Sequence, residues 1–176
     1  FTSEGGRGVL RVGDERGEPA FVATSDADGG LATVYNREAT PVVSVFADSD
    51  GVGTARFSSA AGDPMVALGS DADGGLVSVF DRAGEIASQM FVDVDGFGVI
   101  TVGEGVLLFE DVDGGGTVIR NAAGESVVES YTNASGRGVH LVSDERGRNR
   151  VSLLVDDDGG AFYLVNTAGS TVMESY

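Results

Sequence analysis

A short internal repeat constrains the fold of this chain more than any other feature. The seven residues SDADGGL occur at 25–31 and again, letter for letter, at 70–76. Related glycine-rich segments return along the whole chain, and with the opening Gly5-Gly6 they mark eight units of about 22 residues. Their markers are Gly29, Gly51, Gly74, Gly96, Gly114, Gly136 and Gly159. Because a repeat of this length is one supersecondary unit, the sequence predicts a tandem-repeat architecture.

Each unit contains a second glycine motif near its middle, and this motif identifies the supersecondary unit as a β-hairpin. It runs Asp or Asn, two variable residues, then Gly, as in Asp14–Gly17 and Asp81–Gly84. This pattern is typical of a type I turn followed by a left-handed glycine. Asp26-Ala27-Asp28-Gly29 fits the same template, so both motifs are predicted to be hairpin turns. The segments between them, such as LVSVF and PVVSVF, have the composition of β-strands.

The predicted fold class is therefore all-β: about sixteen short antiparallel strands of tandem hairpins, forming an elongated β-solenoid or antiparallel meander. One column of residues stands two positions before the mid-unit turns, and period-2 alternation predicts that it lies inward on one face. The column is Val12, Val34, Phe57, Val79, Ile119, Val142 and Leu164.

The hairpins also alternate in pairs. Gly-x-Gly junctions follow an aromatic residue, whereas Asp-Gly-Gly junctions do not. The aromatic residues at this phase are Phe1, Phe46, Phe91, Tyr131 and Tyr176. They divide a single repeat domain, residues 1–176, into units of about 1–45, 46–90, 91–130 and 131–176. A four-bladed, propeller-like closed array is the alternative. Because the first and last aromatics share one phase, one copy could continue another, and these five aromatics are predicted assembly-interface residues.

The fifth 22-residue unit is shorter than the others. Its segment VITVGEGVLLF lacks about four residues at the mid-unit turn. The sequence predicts a two-residue turn at Glu104-Gly105, which would leave the flanking strands unchanged.

Many strands carry apolar residues at successive positions, so both of their faces are apolar. LVSVF and VVSVF are examples. A half-exposed sheet would show polar residues on its outer face. The sequence therefore predicts either a sheet folded over itself or a second face covered by another chain.

Charge and composition exclude several classes of partner. The chain has 28 acidic and 11 basic residues, a net charge of −17, no Lys and no Cys. This charge disfavours nucleic acid and anionic membrane surfaces, because phosphates would be repelled. The apolar runs are too short for a membrane-spanning helix.

Paired aspartates in the junction turns are the candidate metal ligands, since calcium binds six to eight oxygens. They are Asp26, Asp28, Asp48, Asp50, Asp71, Asp73, Asp93, Asp95, Asp111, Asp113, Asp156 and Asp158. The bidentate Glu of an EF-hand loop is absent. A turn role explains all eight glycine-rich loops, including those without two aspartates, so calcium is the one candidate cofactor and no other is expected.

No set of residues suggests catalysis. His140 is the only histidine, there is no cysteine nucleophile, and the carboxylates recur on turns instead of converging. We therefore expect no enzymatic activity. Asn133-Ala134-Ser135 is a glycosylation sequon, which makes Asn133 a glycosylation candidate and favours an extracellular or cell-surface location.

The hairpin repeat, with its Asp-x-Asp-Gly-Gly and Asn-x-x-Gly turns, resembles the short β-hairpin repeats of bacterial and phage surface fibres. The resemblance implies a scaffold role and transfers no catalytic residue. The predicted function is a structural subunit of an extracellular filament, fibre or surface assembly that self-associates through apolar strand faces and chain ends. The alternative is a lectin- or adhesin-like module that binds carbohydrate or calcium, with glycans as partners.

Overall fold

A computed structural model describes residues 2–4, 7–25, 27–155, 157 and 159–175, and side chains are described from Gly8 onward. This part of the chain is all-β, with seventeen strands and no helix. No helical segment capable of crossing a membrane occurs among these residues. The prediction of tandem hairpins in an antiparallel meander is confirmed.

The chain divides into two compact units, residues 1–92 and 93–176. In the first unit each strand pairs antiparallel with its neighbours in the chain. Its strands are β1 (Thr2–Glu4), β2 (Arg7–Gly13), β3 (Pro19–Ser25), β4 (Gly30–Tyr35), β5 (Pro41–Ala47), β6 (Gly53–Ser58), β7 (Pro64–Ser70), β8 (Gly75–Phe80) and β9 (Ile86–Val92).

The second unit repeats this arrangement, with antiparallel pairing in chain order throughout. Its strands are β10 (Gly98–Val102), β11 (Val106–Asp111), β12 (Gly114–Arg120), β13 (Ser126–Thr132), β14 (Gly138–Ser143), β15 (Asn149–Val155), β16 (Gly160–Val165) and β17 (Thr171–Ser175).

The closed, four-bladed alternative does not describe these sheets. Separate blades would require breaks in pairing near residues 46 and 131. Instead, β5 pairs with both β4 and β6 across the first position, and β13 pairs with both β12 and β14 across the second. Within each unit, the described strands form a continuous open meander.

Most hairpins share one turn, which an Asp or Asn side chain organises. In the turn 14–18, the N–H of Asp14 donates to the Glu18 carbonyl at 2.8 Å, and the N–H of Gly17 donates to the Asp14 carbonyl at 3.0 Å. The Asp14 Oδ1 accepts the N–H groups of Arg16 and Glu18 at 2.9 and 3.0 Å. The same bonds recur at the Gly-x-Gly junctions, for example around Asp48. These junctions and the mid-unit motifs therefore form one class of turn, as predicted.

The Asp-Gly-Gly junctions form a different, tighter turn, which corrects the prediction of a common template. Here the N–H of Asp71 donates to the Gly74 carbonyl at 2.9 Å, and the Asp71 Oδ1 accepts from Asp73 and Gly74 instead of from the fifth residue. Gly74 has φ +157°, and a Cβ placed there would lie 2.9 Å from the Val92 Cβ. Glycine in the Asp-Gly-Gly motif therefore also allows the close approach of the neighbouring strand.

The shortened hairpin turns through three residues, not the predicted two. Val102 pairs with Val106, which leaves Gly103, Glu104 and Gly105 as the loop. Gly103 has φ +53°, and the Gly105 carbonyl accepts a hydrogen bond of 2.7 Å from the N–H of Arg120. That bond ties the short loop to β12.

Within each unit the predicted column lies on one face of the sheet, but it is not buried: five of its seven members are exposed, and Val142 and Leu164 are half-buried. The register places Val12 opposite Phe21, Phe21 opposite Val34, and Val43 opposite Phe57, so these side chains share a face. Val12 is nevertheless 50% exposed and Phe57 42% exposed. The physical reason is that the described strands of each unit contact only their neighbours in the sheet, so no second layer of described residues covers this face.

One turn carries Ala where the others carry Gly, and this predicts a stabilising substitution. Ala39 has φ +57° and is the only described non-glycine residue with positive φ. Because a Cβ disfavours this region, Ala39→Gly is expected to raise the free energy of unfolding by about 0.5–1 kcal/mol. Denaturant unfolding would measure the gain. The matched change Gly84→Ala, at φ +83° in an equivalent turn, is expected to have the opposite sign. Destabilisation by Ala39→Gly would contradict this account of the turn.

Candidate functional site

Cross-strand pairing assembles one continuous apolar face in each unit, which we call the valine face. In antiparallel sheets, directly opposite residues project to the same side, so the register defines the face. In the first unit it consists of two rows: Val12, Phe21, Val34, Val43, Phe57, Val66, Val79 and Ser88; and Leu10, Ala23, Ala32, Val45, Ala55, Leu68, Val77 and Met90. Fifteen of these sixteen side chains are apolar, and none is charged.

Exposure is concentrated on this face. Eight of the ten exposed large apolar side chains described in the first unit belong to the two rows. They are Leu10, Val12, Val34, Val45, Phe57, Leu68, Val79 and Met90. Valine, leucine and phenylalanine are usually buried, and a contiguous exposed patch of them marks an interaction surface.

The opposite face of the first unit is more polar and better covered. One of its rows contains Arg11, Val22, Thr33, Ser44, Arg56, Ala67, Ser78 and Gln89. Thr33 and Ser78 are buried, and the Gln89 Nε2 donates to the Ser78 Oγ at 3.1 Å. Two hydroxyl side chains of this row are therefore buried while large apolar side chains of the valine face are exposed, and the two arginines of the row, Arg11 and Arg56, are exposed as well.

The valine face of the second unit is less uniform. One row is wholly apolar: Val102, Val106, Ile119, Val128, Val142, Val151, Leu164 and Met173. The other contains Ile100, Leu108, Thr117, Ser130, His140, Leu153, Phe162 and Ser175. The His140 Nδ1 lies 2.6 Å from the Ser130 Oγ, so the single histidine is paired with a strand neighbour and has no described acidic partner.

The first aspartate of each described junction pair accepts hydrogen bonds from the backbone of its own turn. Asp48, Asp71, Asp93 and Asp111 each accept two backbone N–H groups through Oδ1. The second members, Asp28, Asp50, Asp73, Asp95 and Asp113, are exposed. Asp26, Asp156 and Asp158 lie outside the described residues. Among the described residues, no three His, Cys, Asp or Glu side chains gather as metal ligands. Calcium binding stays a prediction.

The predicted aromatic interface residues do not lie on the valine face. Phe46, Phe91 and Tyr131 project to the opposite side and are half-buried. Phe1 and Tyr176 lie outside the described residues. The sequence did not single out the exposed members of the valine face, because period-2 alternation fixes a shared face but cannot tell whether another layer covers it.

The predicted glycosylation residue belongs to a turn. The Asn133 Oδ1 accepts the N–H groups of Ser135 and Arg137 at 3.0 and 3.1 Å. Glycosylation would modify Nδ2, which takes no part in these two bonds. Modification of Asn133 stays a prediction.

Neighbouring turns on the mid-unit edge are joined by hydrogen bonds from side chains to backbone. The Asn36 Nδ2 donates to the Ala60 carbonyl at 2.9 Å, and the Asn121 Nδ2 donates to the Glu145 carbonyl at 3.0 Å. Arg16 and Arg150 make comparable bonds to the carbonyls of Arg37 and Asn166. These bonds hold successive hairpins together outside the sheet ladder.

Asp144 is the centre of a charged cluster in the second unit. Its Oδ2 accepts from Arg148 Nε at 2.9 Å and from Arg150 Nε at 3.0 Å, and its Oδ1 accepts the N–H groups of Arg146 and Arg148. Partial desolvation would raise the pKa of this carboxyl, but the hydrogen bonds from Arg150, Arg146 and Arg148 outweigh it and hold the pKa well below its usual range.

Comparisons with known proteins do not identify a family. No protein-family model matches the chain, and no curated protein matches it. Among solved structures, the wild-type TCP10 domain of Danio rerio CPAP aligns with a TM-score of 0.37 and 14% identity, covering 96% of this chain and 95% of that one. The same domain in complex with a peptide of Danio rerio STIL aligns with a TM-score of 0.23 and 11% identity, covering 96% and 99%.

The hydrogen bonds between neighbouring turns predict a loss of stability when Asn36 is replaced by aspartate. Asn36→Asp keeps the Oδ1 acceptor that Glu38 and Thr40 use but removes the Nδ2 donor to Ala60. We expect a loss of about 0.5–1 kcal/mol in the free energy of unfolding, measured by denaturant titration. The control Asn133→Asp adds the same charge without removing a described inter-turn bond. Equal losses for both variants would show that charge, not the donor, is responsible.

The charged cluster around Asp144 predicts that the stability of the protein depends on pH. Because the pKa of Asp144 is lowered by folding, its contribution is present above the ordinary carboxyl pKa of about 3.9 and is lost as pH falls below it. Asp144→Asn is expected to lower the melting temperature at pH 7, with the difference shrinking below about pH 4. Asp81→Asn, in an equivalent turn whose Oδ1 accepts from Ala83 and Glu85, is the control. A difference for Asp144→Asn that is constant with pH would contradict the ionic origin.

Proposed function

We propose that this protein is a structural subunit of a filament, fibre or surface assembly, and that it self-associates through its apolar sheet faces. The observation that carries the proposal is the exposed, uncharged valine face of the first unit. An extracellular or cell-surface location belongs to the proposal and is motivated by the sequon at Asn133.

The small number of buried apolar residues supports association. Only Val99, Val139 and Ala161 are buried apolar residues among those described, and all three belong to the second unit. The first unit thus has no described buried apolar side chain. Since burial of apolar surface is the main favourable term in folding, a second layer would supply stabilisation that the single sheet lacks.

The exposed area supports the same conclusion. The solvent-accessible surface of the protein is 11005 Å². Two separate globular chains, each with half of its mass, would together expose about 9,700 Å². The protein therefore exposes more surface than two compact domains would, and an interface would remove part of the excess.

The acidic residues at the sheet edges would oppose such an assembly electrostatically. The two rows of the first unit's valine face carry no Asp, Glu or Arg, whereas Asp14, Glu15, Asp48 and Asp50 occupy turns at the sheet edges. With a net charge of −17, association brings like charges near each other at the rims. Salt screens this repulsion without weakening the apolar contact.

The proposal predicts that salt promotes assembly. We expect sedimentation velocity to show larger species as NaCl increases from about 0.01 M to 0.5 M, because the Debye length falls severalfold over this range. Negative-stain electron microscopy of the same samples, with and without a calcium chelator, would show whether the species are fibres and whether they depend on metal. A monomer at every salt and protein concentration would refute self-association, and disassembly by the chelator would favour the calcium-binding alternative.

A further inference from the structure

We propose that the valine face of the first unit packs against the same face of a second copy of the chain, forming a two-layer β-sandwich across the interface. This inference rests on the proposed function and specifies its partner and surface. The two rows lie on β2 to β9 and are joined without interruption by the cross-strand pairs.

The chemistry of the face favours an identical partner. Fifteen of its sixteen side chains are apolar, so a matching apolar layer leaves almost no side-chain polar group without a partner. The valine face of the second unit carries Thr117, Ser130, His140 and Ser175. Against the first unit's face, these side chains would lose water without finding new hydrogen-bond partners. Pairing of like with like avoids this cost.

The size of the face is sufficient for a stable dimer. Eight strands spaced by about 4.8 Å, each about 20 Å long, give a side of the sheet of roughly 34 by 20 Å. Beside the two rows, this side includes a third row of small uncharged residues: Ser25, Gly30, Ala47, Gly53, Ser70 and Gly75. Two such faces cover roughly 1,400 Å² together, within the range of about 1,200–2,000 Å² for specific interfaces.

The opposite face of the first unit is a poorer candidate. Arg11 and Arg56 project from it, neither has a described acidic partner, and burying a guanidinium group without such a partner is costly. Its buried hydroxyl at Ser78 already accepts a hydrogen bond from Gln89. The structure thus distinguishes the two sides of one sheet by charge and by exposure.

An isologous pair places residues near its two-fold axis opposite their own copies. The centre of the eight strands lies between β5 and β6, where Val43 pairs with Phe57 and Val45 with Ala55. Val45 is 51% exposed and is therefore accessible to a facing copy. Position 45 should lie close to position 45 of the partner.

Single-cysteine cross-linking tests this geometry, because the chain contains no cysteine of its own. Val45→Cys, treated with a short bis-maleimide under assembly conditions, is expected to give a covalent dimer. The matched control is Ser44→Cys, the adjacent residue on the opposite face, which is expected to stay monomeric. Dimer formation by Ser44→Cys but not by Val45→Cys would overturn the assignment of the face.

A mixed experiment tests whether the partner surface is the same one. A chain with Val45→Cys is combined with a differently sized, tagged chain carrying Leu153→Cys on the second unit's valine face. Predominant cross-linking between the two different chains would overturn the like-with-like arrangement. Predominant cross-linking of Val45→Cys with itself is the expected result.

Charge insertion provides an independent readout. Val45→Glu is expected to weaken self-association at least tenfold in sedimentation equilibrium, because it would bury a carboxylate in an apolar interface. Val45→Thr, which preserves shape and strand propensity, is expected to weaken it less, and circular dichroism of both variants checks the fold. If the wild-type chain assembles but Val45→Glu assembles equally well, this inference fails while the proposed function stands. If the wild-type chain never associates, the proposed function itself fails.

Discussion

The hydrogen bonds from one side-chain oxygen to two turn N–H groups are the interaction on which the rest of this structure depends. In each turn of the common class, an Asp, Asn or Ser oxygen accepts the N–H groups of the third and fifth residues, as Asp14, Asn36 and Ser59 do. These bonds fix the length and direction of each hairpin. Because the side-chain period of a strand is two, a one-residue change in register would move every side chain to the other face.

Fixed register explains how a chain with 28 acidic residues builds a large uncharged surface. Many of the acidic residues occupy turns, where their oxygens satisfy backbone donors and their charges point to water at the sheet edges. The strands between the turns then align valine with valine from one hairpin to the next, as in the pair of Val66 and Val79. The same turn residues therefore determine the fold, the solubility of the edges and the continuity of the valine face.

In the proposed assembly, the single layer of each sheet would link folding to association. A sheet with one open apolar face retains much of the surface that a domain normally buries, and the first unit has no described buried apolar residue. The bonds between turns, such as the one from Asn36 to Ala60, partly offset this by joining successive hairpins at the edge. A partner layer would contribute the apolar burial that such hydrogen bonds cannot replace.

The sequence alone determined the all-β class, the hairpin period, the strand alternation and the turn role of the aspartates, because glycine at positive φ and Asx oxygens act over only a few residues. It also placed Val12, Val34 and Phe57 on one face. It did not determine that the Asp-Gly-Gly turns are tighter, since the need for glycine at position 74 comes from Val92 on the neighbouring strand. Nor did it determine that the face shared by Val12 and Phe57 is open, or that Phe46 and Phe91 lie on the other side. Only the tertiary structure decided these points, because burial depends on which strands and layers meet, and local periodicity contains no information about them.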